Sequence, residues 1–312
     1  MSRQAEASRG SDAAVAAATA FLVTLAARLL FVSRYSVDMP FLDQWDAELD
    51  SLLLPYVRGD LEWQTLFSPH NEHRIFFTRV LTLILYSVQG VWSPRTMAQV
   101  QTILPALTAS LLAYWSVRDR GSRAGSWVLI VAAFGLPLAV TNHLWSFQNQ
   151  FGFLVLFSIV AIRLAATEPS LPRFLALMCF SVFAYLSMAG GALTPLVCAG
   201  MLGVHAVRSG RSGRLLSMAL LLVGLSLLLY LLTPDVPQHD ALRAQSITKS
   251  AAAFSLLLLW PFGVGAFVWL PGRLLRLPVV ATRSQGNHLV LVPVGALRLD
   301  ACDERCTRGS PE

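Results

Sequence analysis

Long apolar runs separated by short polar segments dominate the chain and predict a bundle of membrane-spanning α-helices. A helix needs about 20 mostly apolar residues to cross the hydrocarbon core of a bilayer. Runs close to that length occupy residues 13–32, 98–117, 126–142, 151–167, 174–189, 192–207, 215–232 and 253–270. The pattern therefore predicts an all-α, multi-pass bundle of about eight spans.

A further apolar run, residues 76–92, is shorter than a typical span and contains Arg79. Its placement can be inferred from the arginines, because Lys and Arg near helix ends are enriched in cytoplasmic loops. Arginines cluster within residues 118–123, 208–214 and 273–283. If the N-terminus is inside and 76–92 does not cross, all three clusters lie inside together with Arg173 and the N-terminal Arg3 and Arg9. We therefore expect 76–92 to be an interfacial or re-entrant helix within a first outer loop, residues 34–97.

The composition indicates that lipid is the main solvent of this chain. Of its 312 residues, 55% are hydrophobic and 13% are charged, about half the charged share of a soluble domain. The net charge of +6 does not indicate nucleic-acid binding, because the arginines lie in short loops where they act as topology anchors. We expect a protein of the cytoplasmic membrane whose first run, residues 13–32, remains as a signal anchor.

The chain divides into a membrane domain, residues 1–271, and a tail, residues 272–312, of mixed character. The apolar stretch of the tail, residues 289–297, is too short to cross a bilayer as a helix. Cys302 and Cys306 form one CxxxC pair, which indicates little about metal without a second pair of ligands. We expect the tail to be a disordered cytoplasmic segment or the product of a truncated reading frame.

Two polar clusters in the first outer loop are the main candidates for chemistry. Asp43 and Asp46 follow the first span, and His70, Glu72 and His73 precede the interfacial run. Aromatic and apolar residues are interleaved with both clusters, so we expect the loop to fold onto the membrane surface and bring them together. Carboxylates three positions apart share a face of an α-helix, where they could deprotonate a hydroxyl or hold Mg²⁺ or Mn²⁺. The alternatives are a solvated loop and, for Asp43, a helix N-cap.

Three arginines and an amide-rich loop extend the candidate site. Arg28 lies inside the first span, Arg79 inside the interfacial run, and Arg74 beside the histidines. An arginine within a span has a partner or a functional anion, or it snorkels to the interface. Near the outer interface, such residues could neutralise a lipid phosphate. The second outer loop, residues 142–151, carries Gln148 among amides and aromatic rings, which suit either sugar hydroxyls or an aromatic belt.

These motifs resemble those of GT-C glycosyltransferases, especially the bacterial dolichyl-phosphate-mannose mannosyltransferase-like group related to family 39. Members carry an arginine in the first span, as in AARLLFV around Arg28, and an acidic motif after it, as in FLDQWD at residues 41–46. A His- and Pro-containing motif then opens an interfacial helix, as in SPHNEHRIFF at residues 68–77. A basic inner loop, as at residues 118–123, and a polar second outer loop, as in SFQNQF, complete a resemblance over residues 20–170.

The resemblance implies transfer of a hexosyl or pentosyl group from a polyprenyl-phosphate donor to an acceptor hydroxyl at the periplasmic, extracytoplasmic face. It implies Asp43 as the general base, with Asp46 as the alternative, and leaves open whether a divalent cation takes part. The residues implied to bind the phosphate or to position donor and acceptor are Arg28, Arg74, Arg79, His70, Glu72, His73 and Gln148.

Two other functions fit a multi-pass helical protein. A transporter or flippase for a lipid-linked saccharide needs polar residues at mid-membrane depth, and most predicted spans are nearly bare of ionisable groups. A non-catalytic membrane scaffold needs no convergent site. Convergence of Arg28, Asp43 and the cluster at residues 70–74 in one outward cavity would favour an enzyme, whereas scatter would favour a scaffold.

Overall fold

The computed structural model describes residues 3–120, 124–209, 212–242 and 246–259 and two short strands nearer the C-terminus. The chain divides into two compact units, residues 1–237 and 238–312. The described part of the first unit consists of helices and loops, which confirms the all-helical class expected for the membrane domain. The predicted order or disorder of the tail from residue 272 lies outside the described residues, apart from the two strands.

The helices vary widely in length, and short helical turns connect them. In chain order the α-helices are α1 Arg3–Tyr35, α2 Leu54–Arg58, α3 Phe76–Gln89, α4 Pro94–Val100, α5 Ile103–Arg120, α6 Ala124–Gly135, α7 Val140–Leu144, α8 Asn149–Ala165, α9 Leu171–Ser187, α10 Leu193–Ser209, α11 Ser212–Leu231 and α12 Ile247–Leu259. Trp45–Leu53 is a π-helix, and Trp63–Phe67, Ser146–Gln148, Ala189–Ala192 and Pro237–Leu242 are 3₁₀ turns. In the second unit, β1 Val279–Arg283 pairs antiparallel with β2 Leu289–Pro293.

Among the described residues, five helical segments are long and apolar enough to cross a membrane: Ser8–Tyr35, Pro94–Asp119, Ser146–Ala165, Ala189–Arg208 and Gly213–Leu231. These segments support a membrane protein, but they do not establish the expected count of about eight spans.

The remaining predicted runs form shorter helices. The predicted spans 126–142 and 174–189 become the helices Ser126–Gly135 and Leu171–Ser187, and most of 253–270 lies outside the described residues. The ninth run forms α3, whose 14 residues extend about 21 Å, less than the hydrocarbon thickness of about 30 Å.

The loop after α1, the beginning of α4 and the segment before α8 lie together at one end of the first unit. Arg95 donates a hydrogen bond of 2.9 Å from Nη2 to the carbonyl of Ser33, so the end of α1 meets the beginning of α4. The side chain of Trp145 donates to a carbonyl in the loop that follows α1. We call this the polar end and define it as residues 36–93 and 140–149.

The opposite end of the first unit carries arginines beside helix termini. Arg163 donates two hydrogen bonds to the carboxylate of Asp119, at 2.5 and 3.1 Å, which joins the C-terminal ends of α5 and α8. Other arginines at helix termini or in the turns between helices are Arg118, Arg120, Arg173, Arg208 and Arg214. We call the end that Arg163 and Asp119 mark the arginine end.

The predicted span 126–142 is broken near Pro137, between α6 and α7. Proline cannot donate a backbone hydrogen bond, and its ring disfavours a continuous helix. The amide of Leu138 donates instead to Leu136 at 2.9 Å, which leaves the carbonyl of Phe134 without its helical donor. Nε of Arg28 donates to that carbonyl. A cation at a helix C-terminus also interacts favourably with the helix dipole, so Arg28 stabilises the break.

Small and apolar side chains pack the helices α8 to α11 together. Ala161, Leu177, Cys198 and Leu222 are buried in one cluster. Small residues such as Ala161 let helix backbones approach closely, and close packing drives helix association in lipid. The thiol of Cys198 is buried in this cluster, whereas Cys179 is exposed.

A steric test of this packing is available at the turn between α9 and α10. A Cβ at Gly191 would overlap the backbone of Ala184 and Tyr185, whereas a Cβ at the neighbouring Gly190 would meet nothing within 4 Å. We expect Gly191→Ala to destabilise the protein by about 1–3 kcal/mol or more because the backbone must shift. Gly190→Ala is the matched control. The unfolding temperatures of both variants in detergent check this, and equal temperatures would contradict the packing described for this turn.

Candidate functional site

The two polar clusters of the first outer loop meet at the polar end. Oδ2 of Asp43 lies 3.6 Å from Nε2 of His70. The side chain of Asp43 is 40% exposed and that of His70 is 16% exposed, so the carboxylate is open to solvent while the imidazole is largely covered. The separation is longer than a hydrogen bond, but catalytic pairs without substrate are often this loose.

A tight turn positions Asp43. The backbone of Leu42 has a φ of 46°, a conformation that non-glycine residues rarely adopt. The amide of Gln44 donates to the carbonyl of Phe41 at 3.2 Å, and Trp45 donates to Leu42 at 3.1 Å. Strained backbone persists only where surrounding contacts hold it, and it is common at functional sites.

The side chain of Gln44 connects this turn to the second outer loop. Gln44 is buried, and its Oε1 accepts from the backbone amide of Phe41 at 3.2 Å. Its Nε2 donates to Ser146 Oγ at 2.9 Å and to Glu48 Oε2 at 3.1 Å. The side-chain amide of Gln44 thus connects three segments: the turn before the π-helix, the π-helix itself and the segment before α8.

A second turn presents the histidines. His70 and His73 exchange both backbone hydrogen bonds, at 2.8 and 3.0 Å, and Asn71 between them has a φ of 52°. Asparagine tolerates this left-handed conformation better than most residues. Phe147 packs edge-on against the ring of His70, with centroids 5.5 Å apart. The Glu72 carboxylate lies 4.0 Å from the ring of His73.

Glu48 is the most deeply placed acid of the polar end. It is fully buried, and its Oε2 accepts from Gln44 Nε2 and from Trp92 Nε1, each at 3.1 Å. Its other oxygen, Oε1, has no hydrogen-bond partner among the described residues. Burial raises the pKa of this carboxyl from 4.5 to about 7, although the two hydrogen bonds oppose the shift. Glu48 can therefore exchange a proton near neutral pH.

No family model, curated protein or solved structure matches the chain.

Asp46 does not share a helix face with Asp43. The π-helix begins at Trp45, after Asp43, and the described side chain at its N-cap position, that of Gln44, makes no capping bond. Asp43 therefore does not take the alternative role of a helix N-cap, and its carboxylate lies beside His70 instead. Asp46 is exposed, and its backbone carbonyl accepts from Ser51 Oγ at 2.7 Å.

Each of the three predicted arginines binds backbone carbonyls. Arg79 is buried, and its Nη1 donates to the carbonyls of Thr65, at 2.8 Å, and Ser68. Arg74 donates to Phe67 at 2.8 Å and to Leu232 at 3.3 Å. These bonds hold residues 65–68 against the beginning of α3, so Arg79 has a structural role.

Arg28 and Gln148 lie apart from the Asp43–His70 pair. Both line a cavity of about 150 Å³ on the other side of the segment that precedes α8. Ser146 of that segment contacts Gln44 and Phe147 contacts His70, whereas Gln148 lines the cavity. The predicted residues therefore do not converge in one cavity: Asp43 lies beside His70, whereas Arg28 and Gln148 line a separate cavity.

The described residues contain no group of three or more His, Cys, Asp or Glu side chains that could hold a metal ion. Asp43 has a histidine as its neighbour, and Asp46 is exposed. A divalent cation would therefore need ligands from a substrate in addition to Asp43. The CxxxC pair, Cys302 and Cys306, lies outside the described residues.

Sequence reasoning missed the residues that hold the site together. Gln44, Ser146 and Trp92 carry no charge, and each is distant in sequence from at least one partner. The buried carboxylate is Glu48, one of four acids within residues 43–50. One available signal was the four-residue spacing of Gln44 and Glu48, which suits a shared buried face of a helix.

Proposed function

We propose that this protein is a membrane glycosyltransferase. It would move a sugar from a polyprenyl-phosphate-linked donor to an acceptor hydroxyl at the outer face of the membrane. The observation that carries this proposal is the 3.6 Å approach of Asp43 to His70. It joins a solvent-accessible carboxylate to an imidazole from a turn 27 positions later, beside apolar helices that suit a lipid-linked substrate.

Asp43 is the proposed general base. As the acceptor oxygen attacks the anomeric carbon, the Asp43 carboxylate takes the hydroxyl proton. The bond between that carbon and the phosphate oxygen breaks, and the polyprenyl phosphate leaves with the electron pair. His70 is the proposed positioning residue, since its ring is held between Asp43 and the buried Phe147. General-base catalysis of this kind contributes about 10²- to 10⁴-fold.

The leaving phosphate needs positive charge near the Asp43–His70 pair. Arg74 follows the histidine turn directly and is half-buried, so it is the proposed phosphate-facing arginine. Arg79 is less suited because it is buried and already bound to two carbonyls. A guanidinium retains donors for a phosphate even when some of its N–H groups bind carbonyls.

Exposed aromatic side chains at the polar end support a site at the membrane surface. Phe41, Trp45 and Trp63 are all exposed. Aromatic rings are enriched at the level of lipid headgroups, where the phosphate of a lipid-linked donor also lies. A turn flanked by such rings can bring Asp43 and the donor phosphate to the same depth.

The arginine end is the proposed cytoplasmic end. Arg118, Arg163, Arg173 and Arg208 lie beside helix termini in this part of the bundle, and short loops rich in arginine stay inside. The polar end would then face the periplasm. The first outer loop, residues 34–97, carries more acids than arginines, and acids are tolerated outside.

Purified protein in proteoliposomes tests the proposal. Polyprenyl phosphates carrying radiolabelled hexoses or pentoses would be supplied together with a cell-envelope lipid extract as the acceptor. We expect label to move from the donor to an acceptor in at least one combination, and only in vesicles whose polar end is accessible. Absence of transfer from every donor, with folded protein present, would contradict the proposal.

One observation favours a second function, transport of a lipid-linked saccharide. Broken helices that line polar cavities at membrane depth occur in transporters, and the break at Pro137 borders the cavity that Arg28 lines. In the same vesicles a transporter would move the intact donor to the opposite leaflet without breaking its phosphate–sugar bond. A scaffold would do neither.

A further inference from the structure

The cavity that Arg28 lines has apolar walls into which several polar side chains with unused hydrogen-bonding capacity are set. It lies between α1, α5, α6, α7 and α8 and has a volume of about 150 Å³. Gln101, His143 and Asn149 are buried in its wall, and Gln148 is half-buried there. One side-chain atom of each has no hydrogen-bond partner among the described residues. Buried polar groups normally have partners, so water or a ligand must satisfy this cluster.

Three of these four unsatisfied atoms are acceptors. Gln101 uses its Nε2 to donate to the carbonyl of His143 at 2.9 Å, so its free atom is Oε1. The free atom of Gln148 is also Oε1. Nδ1 of His143 lies 2.7 Å from the carbonyl of Ala139. A carbonyl oxygen can only accept, so Nδ1 carries the hydrogen and Nε2 of the neutral ring is a third acceptor.

Asn149 and Arg28 supply the free donors. The free atom of Asn149 is Nδ2, because its Oδ1 accepts from Thr78 Oγ1 at 2.5 Å. Arg28 uses Nε for the carbonyl of Phe134, and its two terminal nitrogens make no hydrogen bond within the described part of the chain. The wall thus offers three acceptor atoms and three donor nitrogens, so it is mixed in character.

This pattern selects the chemistry of the ligand. A phosphate or carboxylate only accepts hydrogen bonds when ionised, so it would leave the three acceptors unsatisfied and face their negative ends. An apolar ring would leave every polar atom unsatisfied, at a cost of about 1–3 kcal/mol each. A hydroxyl both donates and accepts. We propose that this cavity binds one uncharged polyhydroxylated ring, a neutral monosaccharide unit, through Gln101, His143, Gln148 and Asn149.

The dimensions of the cavity agree with one ring. An enclosed protein cavity of about 150 Å³ holds a ring the size of benzene. The wall here includes the exposed Asn142, so the hydroxyl groups of a larger monosaccharide ring would project towards the surroundings. The inference does not depend on transfer at Asp43. A transporter or a binding protein could use the same cavity, so binding and transfer can fail independently.

Saturation-transfer NMR on the purified protein tests the proposal. The detergent must lack a sugar headgroup, and the probes are methyl glycosides of glucose, galactose, mannose and arabinose, with glucose 6-phosphate as the charged comparison. We expect saturable binding of at least one uncharged glycoside. We also expect binding of the phosphate to be weaker by about tenfold or more, the effect of one hydrogen-bonding group.

Gln148→Leu is the diagnostic variant. It removes one free acceptor at nearly constant size and breaks no side-chain hydrogen bond of the described residues, so we expect its unfolding temperature to equal or exceed that of the parent. Glycoside binding should weaken about tenfold or more. Gln150→Leu is the matched control, because Gln150 is also buried with a free Oε1 but lies outside the cavity wall. Glycoside binding by this variant should equal that of the parent.

Three results would overturn the inference. No saturable glycoside binding would mean that the cavity holds water alone. Equal or tighter binding of glucose 6-phosphate would assign the cavity to an anion, with Arg28 as its partner. Unchanged binding in Gln148→Leu would place the glycoside elsewhere on the protein.

Discussion

Replacing Asp43 by Asn is expected to reduce sugar transfer in proteoliposomes by about 10²- to 10⁴-fold. The amide keeps the size of the side chain but cannot take the proton of the acceptor hydroxyl. Donor binding should change little, because Asp43 is proposed to act on the acceptor. The loss should therefore appear in kcat, with KM for the donor nearly unchanged.

Two further variants make this result diagnostic. Asp50→Asn removes an exposed carboxylate of the π-helix that follows Asp43 and should leave transfer at the parental rate. His70→Gln should lower kcat less than Asp43→Asn does, because His70 positions the base and does not take the proton. If Asp43→Asn retained full transfer while Asp46→Asn lost it, the base would be Asp46 and the geometry around His70 would have no catalytic meaning.

Replacing Glu48 by Gln is expected to stabilise the protein at alkaline pH and to have little effect in acid. The pKa of Glu48 is raised from 4.5 to about 7 by burial. Below pH 4.5 the folded and unfolded forms both hold the proton, so Glu48 carries no penalty there. Between pH 4.5 and about pH 7 the carboxyl is deprotonated in the unfolded form but still protonated in the folded form. The free energy of unfolding therefore decreases as pH rises. Above about pH 7 the full penalty remains, on the order of 3 kcal/mol.

Unfolding in detergent at pH 5 and at pH 8.5 measures this effect. The parent should lose stability between the two values, and Glu48→Gln should lose less because an amide does not titrate. Glu62→Gln makes the same chemical change at an exposed position and should behave like the parent. Identical pH dependence in the parent and in Glu48→Gln would show that this carboxyl is not buried at the polar end.

The fold could be predicted from the sequence where local signals decide it. Long apolar runs predict helices in lipid because backbone groups there must bond within their own segment. The shortness of the apolar run 76–92 and the presence of Arg79 within it predict a helix that does not cross the membrane. The break near Pro137 also has a local cause, but it converted a predicted span, 126–142, into two shorter helices. Length alone could not give the number of spans, because a broken or short helix can still line a bundle.

The site could be predicted only in part, because its geometry depends on distant partners. Both polar clusters were found because charge is conspicuous in an apolar chain. The sequence could not separate the buried Glu48 from the exposed Asp46, since both are acids on one short helix. What separates them is the indole of Trp92, 44 positions after Glu48, and the π-helical geometry. The unused acceptors of Gln101 and His143 likewise exist only once α5, α7 and α8 have packed.

Cross-linking in intact spheroplasts tests most directly whether Asp43 and His70 meet outside the permeability barrier. The variant Asp43→Cys/His70→Cys, with the native cysteines replaced, is treated with a short, membrane-impermeant bifunctional thiol reagent. Trypsin can cleave after Arg58 between the two positions, so mass spectrometry detects a bridge as linked peptides. The control pair Asp119→Cys/Arg163→Cys lies in contact at the arginine end.

We predict that the Asp43/His70 pair is bridged in intact spheroplasts and that the Asp119/Arg163 pair is bridged only after permeabilisation. Bridging of the control pair alone in intact spheroplasts would invert the orientation and remove the outer-face site. If the control pair is bridged after permeabilisation but the Asp43/His70 pair is never bridged, then Asp43 and His70 do not share a site.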